Sequence, residues 1–219
     1  MKMPLVPRAV AGLMSLIVGS ASEAASPSSV VPMEEPQPGD HWTYEVRDEI
    51  TGAISATREN VVTEVTPTDI SVRFKIVGTS NEGFQIYDRS WNLVSGQPWK
   101  YSPNDGTGIK APLAVGKTWN FRSNDVNAGA GTTWNRSGTS KVVGEETVTT
   151  RAGTFETFRI ETTYLNRNVA DPSRKAEVTT VTWYAPAIDH WVKRTFMSRV
   201  DKHVRANNTV ELVEYGRKK

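Results

Sequence analysis

From His41 onward, apolar and polar residues alternate along the chain with a period of two. The segment Ile70–Ile76 alternates without a miss, and Phe158–Tyr164 does the same. The runs Val178–Tyr184 and Thr209–Tyr215 are rich in Val, Thr and aromatic residues, which suit a pleated and half-buried surface. Because a period of two places neighbouring side chains on opposite faces, these runs predict strands with one buried face. Short turn sequences rich in Gly, Pro and Asn separate them.

The pattern predicts an all-β, antiparallel fold of about ten strands. No window outside the N-terminal segment has the spacing of apolar residues that an amphipathic helix requires. Sheets of this size curl, split into layers or close on themselves, because exposed edges would otherwise remain. We expect a strongly curved sheet or a flattened barrel, since most connections resemble short hairpins rather than long crossovers.

The β-region could consist of two similar halves, residues 39–115 and 116–219. The motif Gly-x-x-Trp occurs at residues 39–42 and again at residues 116–119, each time at the start of a strand-like run. If the halves repeat, the tryptophan of each motif points inward.

The N-terminal segment predicts export from a bacterial cell. Residues 1–24 have the parts of a cleaved signal peptide: Lys2 and Arg8 near the start, an uncharged apolar stretch, and small residues before a cut at Ala25. The apolar stretch is shorter than the roughly 20 residues of a membrane span, so no transmembrane segment is expected after processing. We expect a periplasmic or secreted protein.

The predicted mature chain begins with a different kind of segment. Residues 25–38 are rich in Pro and Ser without periodicity, which predicts an extended leader whose first ordered residue is Gly39. Residues 39–219 then form a single antiparallel β-domain, expected to be a monomer.

Composition excludes several classes of function. The 219 residues include 26 Lys and Arg against 24 Asp and Glu, a formal net charge of +2, which gives no polybasic surface for nucleic acid. The absence of cysteine excludes disulfides, thiol nucleophiles and thiolate metal sites within this sequence. The three histidines lack the spacing of a metal site, so neither a metal nor a cofactor is expected.

Aromatic residues supply the candidate binding surface. Large rings usually fill protein cores, and most of the seven tryptophans are expected to do so. The alternative is a concave aromatic surface for a small apolar molecule, a glycan or an envelope protein. Its candidate residues, of which the first three are expected to be the most exposed, are Trp91, Trp99, Tyr101, Trp183 and Trp191.

Asp189 and His190 are the sharpest candidates for acid–base chemistry. A carboxylate near an imidazole can raise its basicity, and a more distant carboxylate such as Asp105 or Asp125 would complete a hydrolase or lyase site. Neighbouring residues on a strand point to opposite faces, however, which disfavours a direct pair between Asp189 and His190. A structural histidine is the competing interpretation.

One stretch of the second half resembles a known group of proteins. Its motifs are Val143–Phe155, which ends in Arg-Ala-Gly-Thr-Phe, then Phe158–Ile160, and Thr182–Pro186, which reads Thr-Trp-Tyr-Ala-Pro. They are similar to a signature of uncharacterised exported bacterial β-proteins, TapB-like and related domains of unknown function. Arg151 stands where that signature has Pro, and Ile188–Trp191 replaces a Gly-containing link. The resemblance implies a β-fold and an exported bacterial setting, and it carries over no catalytic residue.

The sequence therefore favours an exported, non-enzymatic β-domain with a binding or scaffolding role. One alternative is a carrier of a lipid or another apolar ligand, held in a concave sheet lined by aromatic residues. The other alternative is the hydrolase or lyase that would use Asp189 and His190.

Overall fold

The computed structural model describes residues 33–217, so the predicted signal peptide, residues 1–24, lies outside the described residues. Within this range no helix is long and apolar enough to cross a membrane. A single turn of 3-10 helix occurs at Pro186–Ile188. The strands are β1 (His41–Asp48), β2 (Ile54–Val65), β3 (Asp69–Ile76), β4 (Glu82–Asp88), β5 (Leu93–Gly96), β6 (Trp99–Ser102), β7 (Thr118–Asn127), β8 (Thr132–Thr150), β9 (Gly153–Asn168), β10 (Lys175–Ala185), β11 (His190–Val200) and β12 (His203–Gly216).

The strands form one closed antiparallel barrel. Each strand pairs with the next along the chain, and β12 returns to pair with β1, so that no edge is left unpaired. This confirms the predicted all-β, antiparallel, barrel-like fold. The expected count of about ten was slightly low, because β5 and β6 have four residues each, too few for alternation to mark them.

Alternation along each strand separates the barrel interior from the outer surface. On β3, Ile70 and Val72 are buried and Arg73 is exposed. On β10, Thr180 and Thr182 are buried, whereas Trp183 is only partly buried. The period of two seen in the sequence therefore records which side chains face inward.

One end of the barrel is filled by apolar side chains, and we call it the closed end. It carries the β2–β3, β8–β9 and β10–β11 turns, and both chain termini of the described range reach it. Among its fully buried residues are Met33, Trp42, Val62, Ile70, Phe155 and Ile188. At about 25 cal/mol per Å² of buried apolar surface, this cluster is a major source of stability.

The residues before β1 pack on the closed end. The Met33 amide donates to the Ala187 carbonyl oxygen over 2.7 Å, and the Met33 side chain is 1% exposed. The carboxylate of Asp40, also fully buried, accepts from Arg217 Nε over 2.7 Å. Of the predicted leader, residues 25–38, the described part thus has no helix or strand but is fixed to the barrel before Gly39.

The first strand of each predicted half carries a buried tryptophan. Trp42 on β1 is 1% exposed and Trp119 on β7 is 8% exposed. Both burials agree with the expected inward direction, and the duplication itself stays a prediction.

Candidate functional site

A cavity of about 270 Å³ lies inside the barrel, next to the closed end. The order of residues along the strands shows its position. On β1, Trp42 belongs to the closed end, and Tyr44 and Val46 line the cavity. On β2, Val62 belongs to the closed end and Arg58 lines the cavity. The cavity wall consists of Tyr44, Val46, Arg58, Asn60, Gln85, Tyr87, Trp91, Leu93, Asp105, Thr107, Trp191, Arg194 and Val210.

Aromatic rings stack at the boundary between the closed end and the cavity. The ring of His190 lies 4.4 Å from that of Trp42 in a stacked arrangement and 3.8 Å from that of Trp191. The ring of Trp91 lies 4.6 Å from the same imidazole in a T-shaped arrangement. His190 is 4% exposed, so this cluster forms a rigid floor under the cavity.

A hydrogen bond to Tyr44 fixes the tautomer of His190, and burial governs its charge. The Tyr44 hydroxyl donates to the Trp191 carbonyl oxygen over 2.8 Å and lies 2.6 Å from His190 Nδ1. Because a hydroxyl donates one proton, the Nδ1–H group of His190 must donate to Tyr44. Burial, followed by the positive charge of Arg194, lowers the pKa of His190 well below 6.5. The imidazole is therefore neutral near pH 7.

Asp189 does not assist His190. It occupies the turn after the 3-10 helix with a φ of 44°, rather than a position on the strand. The Tyr184 hydroxyl donates to Asp189 Oδ1 over 2.5 Å, and the Trp91 indole donates to Asp189 Oδ2 over 3.1 Å. Burial raises the pKa of Asp189, although both donors oppose this shift. The two residues proposed for acid–base chemistry thus have separate partners.

Arg58 enters the cavity from β2. Its guanidinium donates to Asn60 Oδ1 over 2.9 Å and to Gln85 Oε1, and it lies 4.4 Å from the centre of the Phe74 ring. The Tyr87 hydroxyl donates to the same Gln85 oxygen over 2.9 Å. Burial lowers the pKa of Arg58, and Tyr87 and Tyr44 act in the opposite direction.

Arg194 enters the cavity from β11. Its Nε donates to Thr182 Oγ1 over 3.0 Å, and its guanidinium lies 4.0 Å from the centre of the Trp191 ring. Burial lowers the pKa of Arg194, and the negative charge of Asp105 is the largest opposing influence. In the described part of the chain neither Arg58 nor Arg194 forms an ion pair with a carboxylate.

Beside the cavity, a third interior arginine has the partners that these two lack. Arg136 Nη2 lies 2.6 Å from Asp125 Oδ2, and Arg136 Nη1 lies 3.5 Å from Asp105 Oδ2. Its guanidinium also faces the ring of Tyr164 at 4.7 Å. Burial tends to lower the pKa of Arg136, but Tyr164, Asp125 and Asp105 together outweigh it and leave that pKa raised.

The predicted ligand-binding residues divide into two groups. Trp91 and Trp191 line the cavity, whereas Trp99, Tyr101 and Trp183 do not. Tyr101 faces Arg136 at 5.4 Å, and burial raises the pKa of Tyr101 to about 12. Trp183 lies on the outer face of β10, where its indole donates to Glu146 Oε2 over 2.8 Å.

The expected exposure of Trp91 was wrong, since its side chain is only 3% exposed. Trp91 adopts a φ of 59° in the β4–β5 turn, which is unusual for a bulky residue. Packing against Trp42 at 5.7 Å and against Tyr87 at 5.6 Å holds the indole inside the barrel. The pattern of apolar and polar residues does not show that this turn directs the Trp91 side chain into the barrel.

Sequence reasoning missed the cavity residues Tyr44, Tyr87, Arg58 and Arg194. The sequence contains a hint for both arginines. Arg58 lies four positions before apolar Val62 on β2, and Arg194 lies two positions after apolar Val192 on β11, so each arginine falls on the same side of its strand as a buried residue. Both were overlooked because charged residues are normally placed outside a barrel.

The fold of the barrel also occurs in solved structures of bacterial proteins. No family model matches the chain, and no curated protein matches it. A solved structure of a protein provisionally described as a lipoprotein, from Parabacteroides distasonis, aligns with a TM-score of 0.56 at 14% identity, over 84% of this chain and 99% of that one.

Two further solved structures have the same fold. A protein from Bacteroides fragilis, provisionally described as exported and with a YmcC-like fold, aligns with a TM-score of 0.51 at 15% identity, over 86% of this chain and 100% of that one. The hypothetical lipoprotein YmcC from Escherichia coli aligns with a TM-score of 0.50 at 9% identity, over 83% of this chain and 86% of that one. These likenesses show the YmcC-like fold, and the TapB-like resemblance stays a prediction.

Proposed function

We propose that this protein is an exported bacterial binding domain without catalytic activity, and that its ligand occupies the barrel cavity. The observation that carries the proposal is the wall of the cavity, which combines the rings of Trp91, Trp191, Tyr44 and Tyr87 with polar groups that converge on the same space. Protein sites for small molecules have this composition: apolar and aromatic walls with a few placed polar groups.

Export is supported by two independent observations. The first 24 residues have the charge and apolar pattern of a signal peptide. Proteins with the same fold are described as exported or as lipoproteins. Because both point to the same compartment, we place the barrel in the cell envelope or outside the cell.

A binding role has more support than the hydrolase or lyase alternative. Asp189 Oδ1 accepts a hydrogen bond from Tyr184 and Asp189 Oδ2 accepts one from Trp91. His190 Nδ1 is hydrogen-bonded to the Tyr44 hydroxyl. The low pKa of His190 also makes it a weak base near pH 7. A carrier of a long lipid chain has less support, because a cavity of about 270 Å³ lies just below the usual range of about 300–1,000 Å³ for small-molecule sites.

The test is native mass spectrometry of the protein purified from a bacterial envelope fraction after expression with its own N-terminal segment. We expect a chain that begins at Ala25 and carries a non-covalent small molecule. Val210→Trp, which fills the cavity from β12, should lose that molecule. Val115→Trp, at a residue 57% exposed on the surface, is the matched control and should retain it. Retention by Val210→Trp, or an empty native protein, would overturn the binding proposal.

A further inference from the structure

The cavity contains more positive than negative charge. Arg58 and Arg194 both line it, and Asp105 is the one carboxylate among its lining residues. Asp105 is already occupied: its Oδ2 lies 3.5 Å from Arg136 and accepts from the Thr107 hydroxyl over 2.6 Å, and its Oδ1 accepts from the Leu93 amide over 2.9 Å. The positive charges of the cavity are therefore not balanced by contacts within the wall.

The partners of Arg58 hold its guanidinium without neutralising it. Asn60 and Gln85 offer amide oxygens, and Phe74 offers the face of a ring. Gln85 is itself held by the Tyr87 hydroxyl. Since neutral acceptors orient a guanidinium but leave its charge intact, this arrangement positions a cation beside the cavity.

Arg194 has unused donors as well as an unbalanced charge. Its Nε donates to Thr182 and its guanidinium lies over the Trp191 ring, and these two contacts together fix the direction of the side chain. For its two terminal nitrogens, residues 33–217 supply no hydrogen-bond acceptor. A guanidinium whose stem is fixed and whose terminal donors are free has the geometry of a receptor for an oxyanion.

Such an arrangement is costly in an isolated protein. Charges in protein interiors are normally paired, because removing an ion from water costs several kcal/mol in real proteins. Arg136 follows this rule through Asp125 and Asp105. Arg58 and Arg194, which are only partly buried, have no such partner in the described part of the barrel, and arginine cannot escape the cost by losing its proton.

We propose that the cavity binds an oxyanion, a carboxylate or a phosphate, between the guanidinium groups of Arg58 and Arg194. This inference rests on the proposed binding function and names the chemical class of its ligand. The rings of Trp91, Trp191, Tyr44 and Tyr87 supply much of the rest of the wall, so the body that carries the anion is apolar or aromatic. The volume suits either a small organic acid or the acidic headgroup of a lipid.

Isothermal titration calorimetry with benzoate and benzamide tests the charge requirement in the unaltered protein. The two molecules have the same shape and differ in charge, so the comparison depends on no variant that could fail to fold. We expect saturable binding of benzoate and at least about tenfold weaker binding of benzamide, as the loss of a charged hydrogen-bonded contact predicts.

Variants then locate the site. Arg58→Gln and Arg194→Gln should each weaken benzoate binding about tenfold or more. Arg73→Gln removes the same charge from the exposed face of β3 and should leave the affinity unchanged. Circular dichroism checks that each variant is folded.

Separate titrations with inorganic phosphate and with phosphatidylglycerol vesicles distinguish the sources of the anion. Binding of phosphate or benzoate indicates a soluble acid, and binding of the vesicles alone indicates a lipid headgroup. Each result supports the oxyanion site if Arg194→Gln abolishes it.

Two results would overturn the inference. If benzoate and benzamide bind equally well and the arginine variants change neither, the anion site is wrong while the cavity still binds a ligand. If benzoate, phosphate and vesicles all fail to bind, the anion site is also wrong. The binding function is then judged independently by the molecule that co-purifies with the native barrel.

Discussion

The closed end and the cavity are built from the same strands but differ in chemistry. On β1, Trp42 packs into the closed end, and two residues later Tyr44 presents a hydroxyl to the cavity floor. On β2, apolar Val62 is fully buried, whereas Arg58 carries an unbalanced charge. The inward-facing residues of one strand therefore have two roles. Those nearer the closed end fill it, and those further along the strand line the cavity.

The two regions contribute to the stability of the barrel in opposite directions. The closed end buries apolar surface, which is favourable in proportion to area. The cavity leaves space unfilled and holds two arginines that form no ion pair in the described residues, and both features cost free energy. Sites for ligands commonly depart from ideal packing in this way, because the ligand supplies the missing contacts.

The largest effect is expected at the closed end. Trp42→Ala should lower the free energy of unfolding by about 3–5 kcal/mol, because it removes a fully buried ring and leaves a void beneath His190. Denaturation by urea, followed by circular dichroism, measures the change. Phe84→Ala, at an outward ring that is 60% exposed, should remain within about 0.5 kcal/mol of the parent protein. Equal losses in the two variants would contradict a closed end that dominates stability.

The second prediction concerns pH and the floor of the cavity. The folded pKa of His190 is well below 6.5, so below about pH 6.5 the unfolded chain binds a proton that the folded chain does not. Stability should therefore fall as the pH falls, by up to about 1.4 kcal/mol per pH unit from this residue. Urea denaturation of His190→Gln between about pH 5 and 7 should show a shallower slope than the parent.

A control separates this residue from other titrating groups. Burial raises the pKa of Asp189 and that of Asp125. Their protonation therefore raises the stability of the folded protein as the pH falls, and this contribution is the same in the parent and in both histidine variants. His203→Gln, which removes an exposed histidine at the start of β12 away from the cavity floor, is the matched control. An unchanged slope in His190→Gln would mean that His190 is not held neutral.

The third prediction tests the polar interior away from the cavity. Ser140 on β8 is 1% exposed, and its hydroxyl lies 2.8 Å from that of Thr162 on β9. Ser140→Ala leaves the Thr162 hydroxyl without its partner and should cost about 1–2 kcal/mol in urea denaturation. Thr149→Ala breaks a comparable but exposed pair with Thr154 and should cost less than about 0.5 kcal/mol. The reverse order would argue against a closely packed polar interior.

Much of the fold was predictable from the sequence, because the information is local. The alternation of Ile70–Ile76 and Val178–Tyr184 depends on which face of each strand is buried, and turn residues mark the ends of the strands. The number of strands and their mostly short connections favour a strongly curved sheet or a flattened barrel, and the pairing of β12 with β1 decides between the two. The shortest strands, β5 and β6, could not be recognised because four residues contain too little pattern.

The site was less predictable, because it depends on residues that are distant in sequence. Trp91 and Asp189 meet through a hydrogen bond across 98 positions of the chain, and Tyr44 meets His190 across 146. Trp191 was identified from its aromatic character alone. Arg58 and Arg194 were missed since the parity that places them inward conflicts with the usual exposure of charge.

The most direct test of the central claim is the stability of Arg194→Met beside that of Arg136→Met, measured by urea denaturation without added anions. If the charge of Arg194 is reserved for a ligand, Arg194→Met should unfold with a free energy within about 1 kcal/mol of the parent or above it. Arg136→Met leaves Asp125 and Asp105 without a cation and should lose about 3–5 kcal/mol. A loss in Arg194→Met as large as that in Arg136→Met would show that the fold itself requires Arg194, and would contradict the account.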